Sequence, residues 1–376
     1  MRLRVLHLMS CRGWSSDAYW AGRIARELAA RGHLVTFVAR AGTDAKVLDR
    51  LRALGVAELH TLPFAGRRTP GALLRDLRAI ARWLGEHDVV HVHRGKEHWL
   101  AALAAARVRG APPLVRTRHI VQPVGRHPLN RWLYRRTAHV IAVSEAIRQQ
   151  YLAAGLVPPE RVTTLHGGVD GRRFSPAVDG HPFRAAHGLA PEVPVVGVLG
   201  GLRAMKGHRV FLAAARRVRE RAPACRFVLA GDGPERPAIR AEVERLALTG
   251  AVVLAGYVPE PEQAVAAFDV AVYPSLSSEG MGRVVFEYLA MGRPIVASCV
   301  GVAAEVLKPG ESAVLVPPGD PDALADAILG LLEDRDAAAA LGRAGRRLVE
   351  AHYSGAVVAA AVERLYAQAL DAGGRA

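Results

Sequence analysis

Thirteen short runs rich in β-branched and apolar residues recur along this chain, separated by longer Ala/Leu/Arg segments of helical period. In the first half they span 3–9, 34–39, 58–62, 88–93, 113–118, 139–144 and 161–166. In the second they span 194–200, 225–231, 251–256, 269–274, 294–298 and 313–318. Strands alternating with helices are joined by crossovers and therefore run parallel, and a parallel sheet must be covered by helices on both faces. The number is too large for one ordinary doubly wound sheet and suits two. Between the sets lies "DGRRFSPAVDGHPFRAAHGLAPEVP" (170–194), rich in Pro and Gly, which reads as an interdomain linker. A (β/α)₈ barrel is the structural alternative and accounts less well for that stretch. The expected division is 1–175, 176–352, and a C-terminal helix and tail over 353–376.

Charge separates the halves. Residues 1–180 hold 29 Lys+Arg against 13 Asp+Glu, whereas residues 181–376 hold 21 against 22, so the formal excess of +15 sits in the first half. A one-sided basic domain should meet something anionic, such as a membrane surface, a phosphorylated acceptor or a nucleic acid. No uncharged apolar run reaches the roughly 18 residues of a membrane span. The opening "MRLRVLHLMS" is followed by "CRGWSSD" rather than a small-residue cleavage site, so it reads as a buried first strand. The expected location is cytoplasmic, peripheral on the inner face of the cytoplasmic membrane. Cys11, Cys225 and Cys299 are odd in number and scattered, which excludes a disulfide framework and a CxxC metal pair.

In doubly wound sheets ligands sit outside the carboxyl ends of strands. "SEGMGRVVFEYLAMGRPIVAS" (278–298) follows the run at 269–274 and places a carboxylate, Glu279, then bare backbone at Gly280 and Gly282 on either side of Met281, then a helix carboxylate, Glu287. Free N–H groups at a helix start attract phosphate, glycine lets it approach, and flanking carboxylates accept hydrogen bonds from hydroxyls. Hydroxyls, a diphosphate and more hydroxyls describe a nucleotide sugar. The plainer alternative is that Glu279 caps the helix and Glu287 is solvated. "GVLGGLRAMKGH" (197–208) brings glycines, Arg203 and Lys206 to another strand end, where a lysine suits a diphosphate leaving group. The spacing is not GxGxxG, so no dinucleotide fingerprint is present.

These residues resemble the retaining glycosyltransferases of family 4, whose fold, GT-B, sets two Rossmann-like domains facing across a cleft with the C-terminal helix crossing back to the first. The E-x7-E signature matches Glu279 and Glu287. "AGDGPE" (230–235), "GYVP" (256–259), "PPGDPDALADAI" (317–328), "VSEAIRQQYLAAGLVPPERVTTLHGGVDGRRFSP" (143–176) and "ARELAARGHLVTFV" (25–38) match in order. The resemblance implies that Glu279 binds donor-sugar hydroxyls near the amides of Gly280, Met281 and Gly282. Glu287 would hold the ribose and Lys206 the diphosphate, while Gly231, Gly233, Tyr257 and Val258 would border the base. His119, in "RTRH", matches a histidine that in some relatives contacts the donor sugar. Two departures stand out. Many relatives carry Arg where this chain has Gly201, with Arg203 a substitute two residues on. A Gly-Gly turn is replaced by Ser15 and Ser16, which with His93 fall on the acceptor side.

The expected activity is transfer of a sugar, with retention, from a nucleotide-sugar donor to a hydroxyl of a glycolipid or other cell-envelope glycan such as a lipopolysaccharide core. No cofactor and no metal are expected. His91 and His93 alternate on one strand, but the sequence places no third ligand. A sugar-nucleotide epimerase of the same fold and a basic nucleic-acid-binding protein are the rivals; only "RWLYRR" within 126–139 resembles the latter, and nucleic acid is not the favoured partner.

Overall fold

The computed structural model describes residues 1–64, 70–278 and 280–373. All thirteen runs form strands: β1 (Arg4–Met9), β2 (Leu34–Arg40), β3 (Glu58–Leu62), β4 (Val89–Val92), β5 (Leu114–Arg118), β6 (Thr137–Ala142), β7 (Val162–Thr164), β8 (Val195–Leu199), β9 (Arg226–Ala230), β10 (Val252–Gly256), β11 (Val270–Tyr273), β12 (Ile295–Ser298) and β13 (Val314–Val316). They make two sheets, ordered β3-β2-β1-β4-β5-β6-β7 and β10-β9-β8-β11-β12-β13. Their ladders are parallel. Strand order reverses at β1/β4 and at β8/β11, the two places where this topology opens a crevice at the carboxyl ends. Two separate doubly wound sheets exclude the barrel.

The first unit comprises Met1–Gly168 with Gly355–Ala376, and the second Val169–Ser354. The helix Gly355–Gly373 therefore belongs with the first sheet. Its buried Val358, Val362 and Tyr366 pack there, and Glu363 pairs with Arg31 from the end of the helix Ser16–Ala30. The chain divides after Gly168 and Ser354, rather than after 175 and 352.

The stretch 170–194 is not a linker. Phe174, Phe183 and Leu189 are buried in the core of the second unit beside Phe268 and Ala267. Arg184 donates to Ala267 O and pairs with Asp269 at 2.9 Å. Gly180 there serves close packing, since a Cβ would lie 2.6 Å from Ala267 N.

Each sheet is buried on both faces. In the second unit Phe268, Val285 and Ile295 lie on one side and Phe211, Leu212 and Ile328 on the other. Burial on this scale, at about 25 cal/mol per Å² of apolar surface, is what holds a β-branched run as a central strand. Among the described residues no helix is long and apolar enough to cross a membrane. Cys11 and Cys225 are buried, whereas Cys299 is exposed.

Candidate functional site

In the second unit the loops after β8, β9 and β11 are tied into one surface. Gly200 N donates to Ala230 O, Leu202 N to Asp232 O and Leu276 N to Met205 O, at 2.9, 3.0 and 2.8 Å. Gly207 makes the last contact possible. Its φ is +68°, and a Cβ there would lie 1.8 Å from Pro274 O, so only glycine lets the two loops meet. Lys206, one residue earlier, is half-buried with Nζ 5.4 Å from the centre of the Tyr273 ring.

The helix Arg283–Ala290 starts directly after Gly280, Met281 and Gly282, all buried. Gly282, at φ +52°, offers no side chain to cap the helix and packs against Val302, which a Cβ would meet at 2.9 Å. Tyr288 fixes the helix to the sheet: its hydroxyl accepts from Leu199 N at 2.6 Å and donates to Val272 O. The start of that helix is thereby held at the β8/β11 switch, and Gly280 N donates to Ser278 Oγ at 3.3 Å.

Glu287 is 1 % exposed, so it is not a solvated helix glutamate. Its Oε1 pairs with Arg283 Nε at 3.0 Å, while Oε2 is enclosed with no hydrogen-bond partner among the described residues. Burial raises its pKa, opposed by the charges of Arg283, Arg173 and Lys206. An enclosed acceptor with nothing donating to it is costly unless a ligand hydroxyl supplies the donor. Glu279 lies outside the described residues.

The remaining expected donor residues also stand at these strand ends. Gly201 and Arg203 are exposed after β8, Gly231 and Gly233 are half-buried after β9, and Tyr257 (61 % exposed) and Val258 follow β10. Arg203, Gly207, Arg209, Glu235 and Leu276 line a cavity of about 330 Å³ beside the Lys206 loop.

In the first unit His119 follows β5 and Ser15 follows β1. Ser15 is engaged by Asp17 and Arg94: its hydroxyl donates to Asp17 and accepts from Arg94 Nη2 at 3.3 Å, and Arg94 Nε reaches Asp17 Oδ2 at 2.8 Å. Ser16 is exposed. His93 is 1 % exposed and both its ring nitrogens are taken, by His7 at 3.0 Å and His119 at 3.3 Å. It lies beneath His119 and does not present itself to an acceptor as expected.

Sequence reasoning missed His7. It stands opposite His91 in the β1/β4 register and on the same face, so ring nitrogens of His7, His91 and His93 fall within 4.8 Å of one another. The signal was available in the two-residue period of buried strands, which puts 91 and 93 on one face and a β1 residue beside them. The nitrogens of His91 are taken by Tyr366 and Thr117 at 2.6 Å each, which leaves Nε2 of His7 the only ring nitrogen of the three without a partner among the described residues. The cluster is thus a hydrogen-bonded set of imidazoles that Trp20 meets edge-on.

Comparison with known proteins gives the following. A model described as Glycosyltransferase Family 4 matches residues 19–173, and one described as Glycosyl transferases group 1 matches residues 193–334. A GDP-mannose-dependent alpha-(1-6)-phosphatidylinositol monomannoside mannosyltransferase of Mycolicibacterium smegmatis is 32% identical over 71% of this chain and 73% of its own. A D-inositol 3-phosphate glycosyltransferase of Thermobispora bispora is 30% identical over 80% and 76%. Among solved structures, Anabaena HepE in complex with UDP and glucose has a TM-score of 0.82 at 22% identity, over 96% of this chain and 99% of that one. A glycosyltransferase from Rickettsia africae has a TM-score of 0.85 at 18% identity, over 98% and 99%.

Proposed function

The chain belongs to the family 4 glycosyltransferases and has their GT-B fold, and on that premise we propose that it transfers a sugar from a nucleotide-sugar donor to a hydroxyl acceptor with retention and without a metal. One observation carries the donor assignment. Oε2 of Glu287, with no hydrogen-bond partner among the described residues, is enclosed beside a helix start that carries Gly280 and Gly282 and lies within the field of Lys206. Ribose hydroxyls donate to Glu287, and the diphosphate lies between Lys206 and the amides of Gly280, Met281 and Gly282. Arg203, beside Gly201, adds charge there. Gly231, Gly233, Tyr257 and Val258 border the base, and Glu279 accepts from the transferred sugar.

As the C1–O bond to the diphosphate breaks, negative charge develops on the leaving oxygen, and Lys206 and the helix dipole stabilise it. The acceptor hydroxyl bonds to C1 on the face the leaving group departs from, and its proton passes to the departing phosphate oxygen. His119 meets the transferred sugar, and Ser15 and Ser16 stand on the acceptor side. Proton NMR of the product formed in EDTA tests both features. The expected product keeps the donor's anomeric configuration and forms at an unchanged rate. An inverted anomer, or activity abolished by EDTA and restored by magnesium or manganese, contradicts the reading.

The acceptor is a phosphate-bearing glycolipid or related envelope glycan at an anionic membrane surface. The names of two relatives, for a phosphatidylinositol monomannoside and for D-inositol 3-phosphate, favour this class. Its counterpart on the chain is the helix Pro128–Arg135. Arg131 and Arg135 line a 610 Å³ cavity with Leu152 and Leu156, and Leu129 is 57 % and Ile120 47 % exposed nearby in sequence. Each basic residue near an anionic bilayer contributes about 1 kcal/mol. Flotation is expected to show binding to anionic but not neutral liposomes. That binding should fall sharply with salt and weaken when Arg131, Arg135 and Arg136 are neutralised together. Equal binding to both lipids, or none, contradicts the membrane assignment.

A further inference from the structure

We propose that His7 and His93 are positioning residues that hold His119 in one tautomer, with its proton on Nδ1, so that His119 meets the substrate as a hydrogen-bond donor and not as a base. The role at the substrate rests on the reading that His119 meets the transferred sugar; the tautomer itself does not.

Three imidazoles form a chain. His7 Nδ1 faces His93 Nε2 at 3.0 Å, and His93 Nδ1 faces His119 Nε2 at 3.3 Å. The two outer atoms, His7 Nε2 and His119 Nδ1, are enclosed and have no hydrogen-bond partner among the described residues. Burial pushes His7 and His119 down to about 3 and His93 well below its ordinary value, so all three rings are neutral near pH 7.

A neutral imidazole carries one N–H. Two arrangements alone satisfy both inner hydrogen bonds. In one, His7 Nδ1–H donates to His93 and His93 Nδ1–H donates to His119, which leaves His7 Nε2 bare and puts the last proton on His119 Nδ1. In the other every proton moves across, so that His7 Nε2 becomes an N–H and His119 Nδ1 becomes bare. The character of His119 Nδ1 is therefore coupled to that of His7 Nε2, two rings away.

The surroundings of the ends choose between them. His7 is fully buried, and Phe37 stacks on it at 5.9 Å and 9°. Either arrangement leaves one N–H unpaired, and at His7 burial alone acts on the ring, with no carboxylate to favour an N–H there. His119, 7 % exposed, feels Asp17 more strongly than it feels Arg116, Arg94 or Arg118, and the carboxylate favours an N–H at that end. Both effects select the first arrangement.

Nitrogen-resolved NMR of the imidazoles, recorded on the full chain without substrate and assigned with His119→Gln, tests this. The wild type is expected to carry the His119 proton on Nδ1. His7→Asn, whose amide can still donate to His93, should keep it there. His7→Met offers only an acceptor, so it should draw the His93 proton to Nε2 and move the His119 proton to Nε2. Transfer by His7→Met should then fall about tenfold in kcat/KM against His7→Asn, the scale of one lost hydrogen bond to an enclosed partner. A wild-type proton on Nε2 overturns the proposal, and that spectrum decides the tautomer even if a variant fails to fold. A proton that stays on Nδ1 in both variants overturns the control by His7. A shifted tautomer with unchanged transfer overturns the donor role.

Discussion

Replacing Lys206 or Glu287 by alanine is expected to weaken nucleoside-diphosphate binding and to slow glycosyl transfer by roughly a hundredfold or more, the usual cost of removing one electrostatic partner from a transition state. Glu287→Ala should not unfold the second unit. Its enclosed carboxylate has one unpartnered oxygen and a pKa raised by burial, so the ionised form costs stability at neutral pH. The folded protein takes up the Glu287 proton at a higher pH than the unfolded chain. Its contribution to the stability of the free protein is therefore complete below the usual carboxylate range and is lost as pH rises through the raised value. Nucleotide affinity runs the other way, because a protonated Glu287 has lost part of its capacity to accept from a ribose. Glu279→Ala should spare the affinity for free nucleotide and reduce transfer alone. Isothermal titration with UDP and GDP separates the three variants. Unchanged affinity and turnover in folded Lys206→Ala and Glu287→Ala would remove the donor assignment.

Gly207→Ala is the second large effect. The new methyl would meet Pro274 O at 1.8 Å, and the backbone would have to keep a φ of +68°. A left-handed residue costs about 1–2 kcal/mol and overpacking about 1–3, so the second unit should lose roughly 2–5 kcal/mol. If the loop escapes the clash by moving, the Leu276–Met205 hydrogen bond breaks and Lys206 leaves the strand end. Either way transfer falls, and thermal unfolding shows which route is taken. A variant with wild-type melting temperature and activity would mean that the two loops need not touch.

Much of the fold was legible because a buried parallel strand leaves a local mark. Runs such as "DVAVYP" and "PIVAS" are β-branched, short and bounded by turn residues, and all thirteen became strands. The linker was misread because Pro and Gly report backbone geometry, not exposure. In 170–194 Phe174, Phe183 and Leu189 are buried in the second core. The strand-end residues of the second unit could be found from their order alone, since each follows its own strand. The enclosure of Glu287 could not, because helical position 287 faces inward only once the helix is pinned by Tyr288 to β8 and β11. His7 was missed for a related reason. Its partners lie 84 and 86 residues away in sequence, and only the β1/β4 register brings them together. His93 was misplaced on the acceptor side because alternation along a strand says which residues share a face but not how deeply each is covered.

The most direct test of the donor site is thermal unfolding of the wild-type chain with UDP or GDP in excess and EDTA present. A ligand at a hundred times its dissociation constant adds about 2.7 kcal/mol. At roughly 2–4 °C per kcal/mol for a unit of this size, the melting temperature should rise by several degrees with at least one of the two nucleotides, and by only about a degree in Lys206→Ala if its affinity is about a hundredfold weaker. No rise with either nucleotide, or a rise that Lys206→Ala retains in full, contradicts the account.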